Sequence, residues 1–150
     1  MRIIKILLVS ILLILVIFLG GAFLLPDKQY FTETRIINTD PVAVYTNLKD
    51  TARLEGILNE VLSGHSVNIV LAEQNEFTEI LYTVFVDEKK ESMDAGFILN
   101  EEDNGTEITA YIRIDSLKYP IERWKGFFIP IIYKKPVIKI LNKLESVITN

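Results

Sequence analysis

The stretch DNGTEITAYIRID, residues 103–115, joins a tight-turn signal to a strand in which apolar and polar side chains alternate. Asn followed by Gly readily adopts the positive φ angles of a hairpin turn, so the segments on either side should be antiparallel neighbours. Along residues 106–115 the apolar side chains share one face and the polar side chains share the other. The stretch therefore predicts a sheet with one apolar face, which must pack against another element.

The last segment of the chain is the expected partner of that face. Pro136 suits the first position of a helix, where a missing N–H group costs nothing, and Pro130 and Pro136 together are expected to divide the segment into pieces. The apolar residues after Pro136 recur at helical spacing and form one stripe, which consists of Val137, Ile140, Leu141, Leu144, Val147 and Ile148. We expect this helix to close the apolar face of the sheet.

The segments before the hairpin indicate a strand, two short helices and further strands. Residues 30–38 are rich in aromatic and β-branched residues, which favours a strand. Asp40 followed by Pro41 is typical of a helix start, and residues 52–62 carry apolar side chains at helical spacing. After these helices, apolar residues recur at every second position, which predicts strands at 67–72, 79–87 and 95–101. The expected fold class is α+β, with a helix-grip antiparallel sheet packed on a long C-terminal helix.

The amino-terminal end has a different character, because residues 6–25 contain no charged side chain and follow Arg2 and Lys5. A helix of about 20 apolar residues spans about 30 Å of hydrocarbon, which predicts a single transmembrane helix. A cleaved signal peptide is the alternative, since residues 20–22 are small. The apolar run is longer than a usual signal core, which favours an uncleaved anchor.

These patterns divide the chain into a transmembrane anchor with a short basic tail, residues 1–26, and one domain, residues 27–150. Basic residues beside a membrane span favour the cytoplasmic side. We therefore expect a single-pass protein of the plasma (inner) membrane, with a cytoplasmic N-terminus and an extracytoplasmic domain.

Composition restricts the function of that domain. The chain has 16 Lys and Arg residues against 20 Asp and Glu residues, which argues against nucleic-acid binding. It has no cysteine and a single histidine, His65, so no metal site is predicted. No P-loop, nucleophile elbow or glycine-rich dinucleotide fingerprint occurs, and no cofactor is expected.

Two sets of residues resemble a known superfamily. The first set follows the opening strand and consists of Pro41, Val44, Tyr45, Leu48 and Asp50. The second set follows the hairpin and consists of Tyr119, Pro120, Arg123, Gly126 and Phe127. With the order of elements, these residues resemble a membrane-anchored and shortened member of the START-like or Bet v 1-like superfamily (SRPBCC, polyketide cyclase/dehydrase-like).

The resemblance implies an apolar pocket between the sheet and the closing helix that holds a lipid or another hydrophobic small molecule. The main hypothesis is a non-catalytic domain that binds such a ligand next to the lipid bilayer. One alternative is a structural or interaction domain without a pocket that docks a membrane partner. A cyclase/dehydrase-like enzyme is the other alternative.

The candidate ligand-binding residues come from three places. Tyr111 and Arg113 share the polar face of the predicted strand, and with Asp115 they could form an acid–base group if that face lined a pocket. Residues 119–135 interleave aromatic and basic side chains, which suits either the core or a membrane interface. The C-terminal stripe adds two further residues, Ile140 and Leu144. The predicted ligand-binding residues are therefore Tyr111, Arg113, Trp124, Phe127, Phe128, Ile140 and Leu144. No catalytic residue is assigned.

Overall fold

The computed structural model describes residues 2–87, 92–115 and 117–149. The observed elements follow the predicted order of an apolar helix, a strand, two helices, four strands and a closing helix. They are α1 (Arg2–Leu24), β1 (Gln29–Ile37), α2 (Pro41–Lys49), α3 (Thr51–Val61), β2 (Val67–Asn75), β3 (Glu79–Val86), β4 (Ser92–Glu102), β5 (Gly105–Ile114) and α4 (Pro120–Ile148).

The strands form one antiparallel sheet of five, in the order β1-β5-β4-β3-β2. Cross-strand partners lie on the same face, and Ile112 of β5 is paired with Phe31 of β1 and with Ala95 of β4. That face, which we call the inner face, is mostly apolar and carries α4. At the edge strand β1, Glu33 and Arg35 also lie on it and form ion pairs with Lys134 and Glu145 of α4. The buried side chains of α4 include Val137, Ile140, Leu141 and Leu144. The predicted α+β helix-grip class is confirmed.

Helices α2 and α3 cover one end of the inner face, and both begin at a capping aspartate. The side chains of Asp40 and Asp50 accept hydrogen bonds from backbone N–H groups of the first turn at 2.7 and 3.1 Å. The buried hydroxyl of Tyr82, on β3, donates a hydrogen bond to the carbonyl oxygen of Leu48, on α2. This bond joins the middle of the sheet to the end of α2.

The β4–β5 hairpin depends on Gly105. Its φ is 139°, and a Cβ at this position would lie 2.2 Å from the carbonyl oxygen of Ile37, at the end of β1. Asn104, for which a positive φ was also expected, is not among the described residues with positive φ. The glycine therefore supplies both the turn conformation and the space for β1.

The course of α4 differs from the expectation. The sequence predicts a helix that begins at Pro136, whereas α4 begins at Pro120 and continues through Pro130 and Pro136. A proline inside a helix removes one hydrogen bond and usually costs about 3 kcal/mol. The helix continues because Ile129 and Val137, on either side of these prolines, are buried.

Helix α1 is long and apolar enough to cross a membrane, a property of length and composition that a signal sequence shares. Nearly all of its side chains are exposed, and Ala22, near its end, is the buried exception. The boundary between anchor and domain at residues 26 and 27 stays a prediction.

Two glycine substitutions should change stability in opposite directions. An added Cβ at Gly56, inside α3, meets no atom within 4 Å, so Gly56→Ala should stabilise the protein by about 0.5–1 kcal/mol through helix propensity. Gly105→Ala should destabilise it by about 1–3 kcal/mol, because alanine disfavours positive φ and its methyl group meets β1. Urea unfolding of the full chain in detergent, followed by circular dichroism, measures both. A stable Gly105→Ala protein would contradict our account of the hairpin.

Candidate ligand-binding site

An apolar cavity of about 80 Å³ lies between the inner face of the sheet, α3 and the middle of α4. Leu58 and Leu62 line it from α3, and Tyr133, Pro136 and Ile140 line it from α4. The sheet contributes side chains from four strands, among them Ile69, Val84, Phe97, Ala110 and Ile112. The closing helix therefore forms one wall of the cavity, as the helix-grip arrangement implies.

Small residues on the inner face help to create this space. Ala110 is paired with Phe97, and Ala95 is paired with Ile112, so each alanine stands opposite a large apolar residue. An alanine leaves the volume beyond its methyl group open, and both alanines line the cavity. The alternation of small and large residues is therefore part of the reason that α4 does not fill the inner face completely.

The lining determines what the cavity can bind. Among the described residues that line it, no side chain is acidic, basic or histidine. The hydroxyl of Tyr82 is already bonded to the Leu48 carbonyl oxygen. Drug-sized ligands occupy pockets of about 300–1,000 Å³, so this cavity has the size for a short apolar group.

Of the predicted ligand-binding residues, Ile140 and Tyr111 border the cavity, and Leu144 lies one turn further along α4 in the core. The ring of Tyr111 stacks on Tyr30, with ring centroids 5.7 Å apart. Its hydroxyl donates a hydrogen bond of 2.8 Å to Glu79. Because its neighbours on β5 point inward, this ring lies on the opposite, outer face of the sheet.

Arg113 belongs to the same outer-face cluster. Its guanidinium lies 3.1 Å from the carboxylate of Asp94 and 3.0 Å from that of Asp115. The acid–base group that the sequence suggested is thus assembled in part, on the face of the sheet away from the apolar cavity. There Arg113 pairs with Asp94 on the neighbouring strand β4 and with Asp115, directly after its own strand.

Trp124, Phe127 and Phe128 do not line the cavity, and Trp124 contacts α1. The ring of Trp124 stacks on Phe18 with centroids 5.2 Å apart, and its Nε1 donates a hydrogen bond of 3.0 Å to the Phe18 carbonyl oxygen. Arg123 donates to the carbonyl oxygens of Phe23 and Leu25, at the end of α1. In this arrangement the start of α4 pairs with the apolar helix.

Sequence reasoning missed most of the cavity wall. Leu58 and Leu62 read as ordinary core positions of α3, and Val84 and Phe97 read as ordinary strand positions. The available signal was the pair of alanines, Ala95 and Ala110, in strands whose other cavity-lining side chains are mostly large and apolar.

Comparison with known proteins establishes the fold. No protein-family model and no curated protein matches the sequence. Protein Ms6760 from Mycobacterium smegmatis matches at a TM-score of 0.56 and 12% identity, over 83% of this chain and 98% of its own. A protein from Arthrobacter aurescens matches at 0.57 and 10% identity, over 80% of this chain and 86% of its own.

DynU16, from the dynemicin biosynthetic locus, matches at a TM-score of 0.53 and 11% identity. The match covers 81% of this chain and 48% of DynU16. At these identities the similarity shows a shared helix-grip-like α+β fold and nothing more specific.

The outer-face cluster predicts a pH dependence of stability. Burial, and next the hydrogen bond to Glu79, raise the pKa of Tyr111 above its ordinary value of about 10. In the unfolded chain the phenol ionises near pH 10, whereas in the folded protein it stays protonated. The free energy of unfolding should therefore be unaffected by this group below pH 10 and should fall as the pH rises above it.

Tyr111→Phe should make that alkaline decline shallower, by up to about 1.4 kcal/mol per pH unit. Denaturant unfolding at a series of pH values measures the slope. Thr32→Val, at the neighbouring outer-face position of β1, is the control and should keep the wild-type slope. Equal slopes in wild type and Tyr111→Phe would contradict the assignment.

Proposed function

We propose that this protein is a membrane-anchored helix-grip domain of the START-like or Bet v 1-like kind that binds a hydrophobic small molecule, or the apolar end of a lipid, beside the bilayer. The cavity between the sheet and α4 is the observation that carries the proposal. No catalytic step is included, because its described lining offers no acid or base other than tyrosine phenols.

The side chains that line the cavity favour ligands that are apolar and of limited length. Each CH₂ group that moves from water into such a cavity contributes about 0.8 kcal/mol. Hydrogen bonds that would fix the orientation of a polar ligand are scarce, because the lining is apolar apart from tyrosines. The expected ligand is therefore an unbranched or compact apolar group.

A longer ligand requires α4 to move away from the sheet. In the described residues three ion pairs join α4 to the rest of the domain, Arg35–Glu145 at 2.6 Å, Lys143–Glu60 at 2.8 Å and Lys134–Glu33 at 3.6 Å. All six side chains are partly exposed, and Glu33, at 24%, is the least exposed. Exposed ion pairs contribute about 0–1 kcal/mol each. Apolar contacts therefore hold α4 in place, and a ligand that replaces those contacts can stabilise an opened form.

Helix α1 supports the membrane part of the proposal through its length and apolar surface. The proposed orientation has Arg2 and Lys5 on the cytoplasmic side of the plasma (inner) membrane and the domain on the other side. A domain held beside lipid has a local supply of apolar ligands.

Native mass spectrometry of the full chain, released from detergent, tests the binding proposal. We expect a copurified small molecule that is retained in the folded protein and absent after denaturation. Ala110→Leu should lose the bound mass, because the larger side chain occupies the cavity. Thr32→Leu adds a similar apolar group on an exposed outer-face position and should keep it.

The proposal would be overturned by a wild-type protein that stays empty after incubation with a membrane lipid extract. It would equally be overturned if Ala110→Leu and Thr32→Leu retained the same bound mass, since the molecule would then lie elsewhere.

A further inference from the structure

The first half of α4 has a second apolar side, opposite the side that packs on the sheet. Six apolar residues on this second side fall within an arc of about 140° around the helix axis, since consecutive residues of a helix are about 100° apart. Gly126 and Ile129, which are buried, lie on the opposite side of the helix. The six apolar residues, which we call the outer stripe, are the half-buried Trp124 and the exposed Ile121, Phe127, Phe128, Ile131 and Ile132.

Five of the six members of the outer stripe are exposed, and Trp124 is the half-buried one. Phe127 and Phe128 are 46% and 45% exposed, and Ile131 and Ile132 are 69% and 59% exposed. Contiguous apolar surface of this kind on a folded domain marks a contact with another molecule or with a membrane. The inner side of the same helix already accounts for its role in the core, so the outer stripe needs a separate explanation.

The outer stripe ends abruptly along the helix. Beyond Ile132 the same side of α4 continues with Lys135, Lys139, Asn142 and Ser146. One continuous helix therefore presents apolar side chains on one side in its first half and mostly polar side chains on that side in its second half. Such a change along the helix axis is expected where an element passes from lipid into water.

Contacts with α1 fix the location of the outer stripe. Trp124 stacks on Phe18, and the rings of Phe127 and Phe128 lie 6.1 and 6.5 Å from the Trp124 ring. Phe18 precedes the end of α1 by six residues, or roughly 9 Å at 1.5 Å per residue. Trp124 thus lies beside the last part of the apolar helix, and Phe127 and Phe128 adjoin that helix through the Trp124 ring.

We propose that the first half of α4 is embedded in the same bilayer leaflet as the end of α1, with the outer stripe against acyl chains. The inference rests on the proposed membrane anchoring of α1. Lys125 and Lys135, which are exposed, flank the stripe at positions suited to lipid headgroups. Lys134 lies 3.6 Å from Glu33 of β1. Tyr133 and Pro136, which line the cavity, then lie at the headgroup level.

Single labelled cysteines in the full chain test this placement, because the natural sequence contains no cysteine. Ile131→Cys reports on the outer stripe and Leu12→Cys on the middle of α1. Lys139→Cys is the matched control, exposed on the same side of α4 but in its polar half. Each variant carries an environment-sensitive fluorophore and is reconstituted in phosphatidylcholine vesicles containing phosphatidylglycerol, with and without nitroxide groups on the acyl chains.

We expect the acyl-chain nitroxides to remove most of the fluorescence at positions 12 and 131 and little at position 139. Quenching at 12 with none at 131 would overturn the embedding of α4 while the anchor proposal stands. A label at 131 that is shielded from water but unquenched by lipid would overturn it in favour of a second copy of the chain. The absence of quenching at all three positions would overturn both the anchor and the embedding.

Discussion

The packing of α4 on the inner face of the sheet is the interaction on which the rest of the structure depends. One face of the sheet is mostly apolar, and in the part of the chain that the structure describes no second sheet covers it, so the inner side of α4, with Ile140 and Leu144, shields it from water. The same packing keeps α4 continuous through its internal prolines. It also leaves a small cavity where the alanines of β4 and β5 face the helix. Fold, helix continuity and candidate site therefore have one physical origin.

Much of the fold could be predicted because its signals are local. Strand alternation, the capping of α2 by Asp40, the hairpin at Gly105 and the apolar run of α1 each depend on neighbouring residues. The length of α4 could not be predicted in this way. Pro130 is unfavourable in a helix by its own chemistry, and the contacts that outweigh this cost come from strands distant in sequence.

The candidate site was harder to predict than the fold. Ile140 was identified because the C-terminal stripe has a clear helical period. Leu58 and Val84 were missed because nothing local shows which apolar positions border an unfilled space. Trp124 belongs to a segment of interleaved aromatic and basic residues that suits either the core or a membrane interface, and it was assigned to ligand binding. In the structure its ring stacks on Phe18 of α1 and does not line the cavity.

The junction between α1 and the domain has a mechanical consequence. Four residues separate α1 from β1, and the hydrogen bonds from Trp124 and Arg123 to the end of α1 hold the start of α4 against it. A domain joined in this way has little rotational freedom about its attachment. With α1 in a bilayer, the domain would keep a fixed orientation relative to α1, and the same side of the domain would face the membrane.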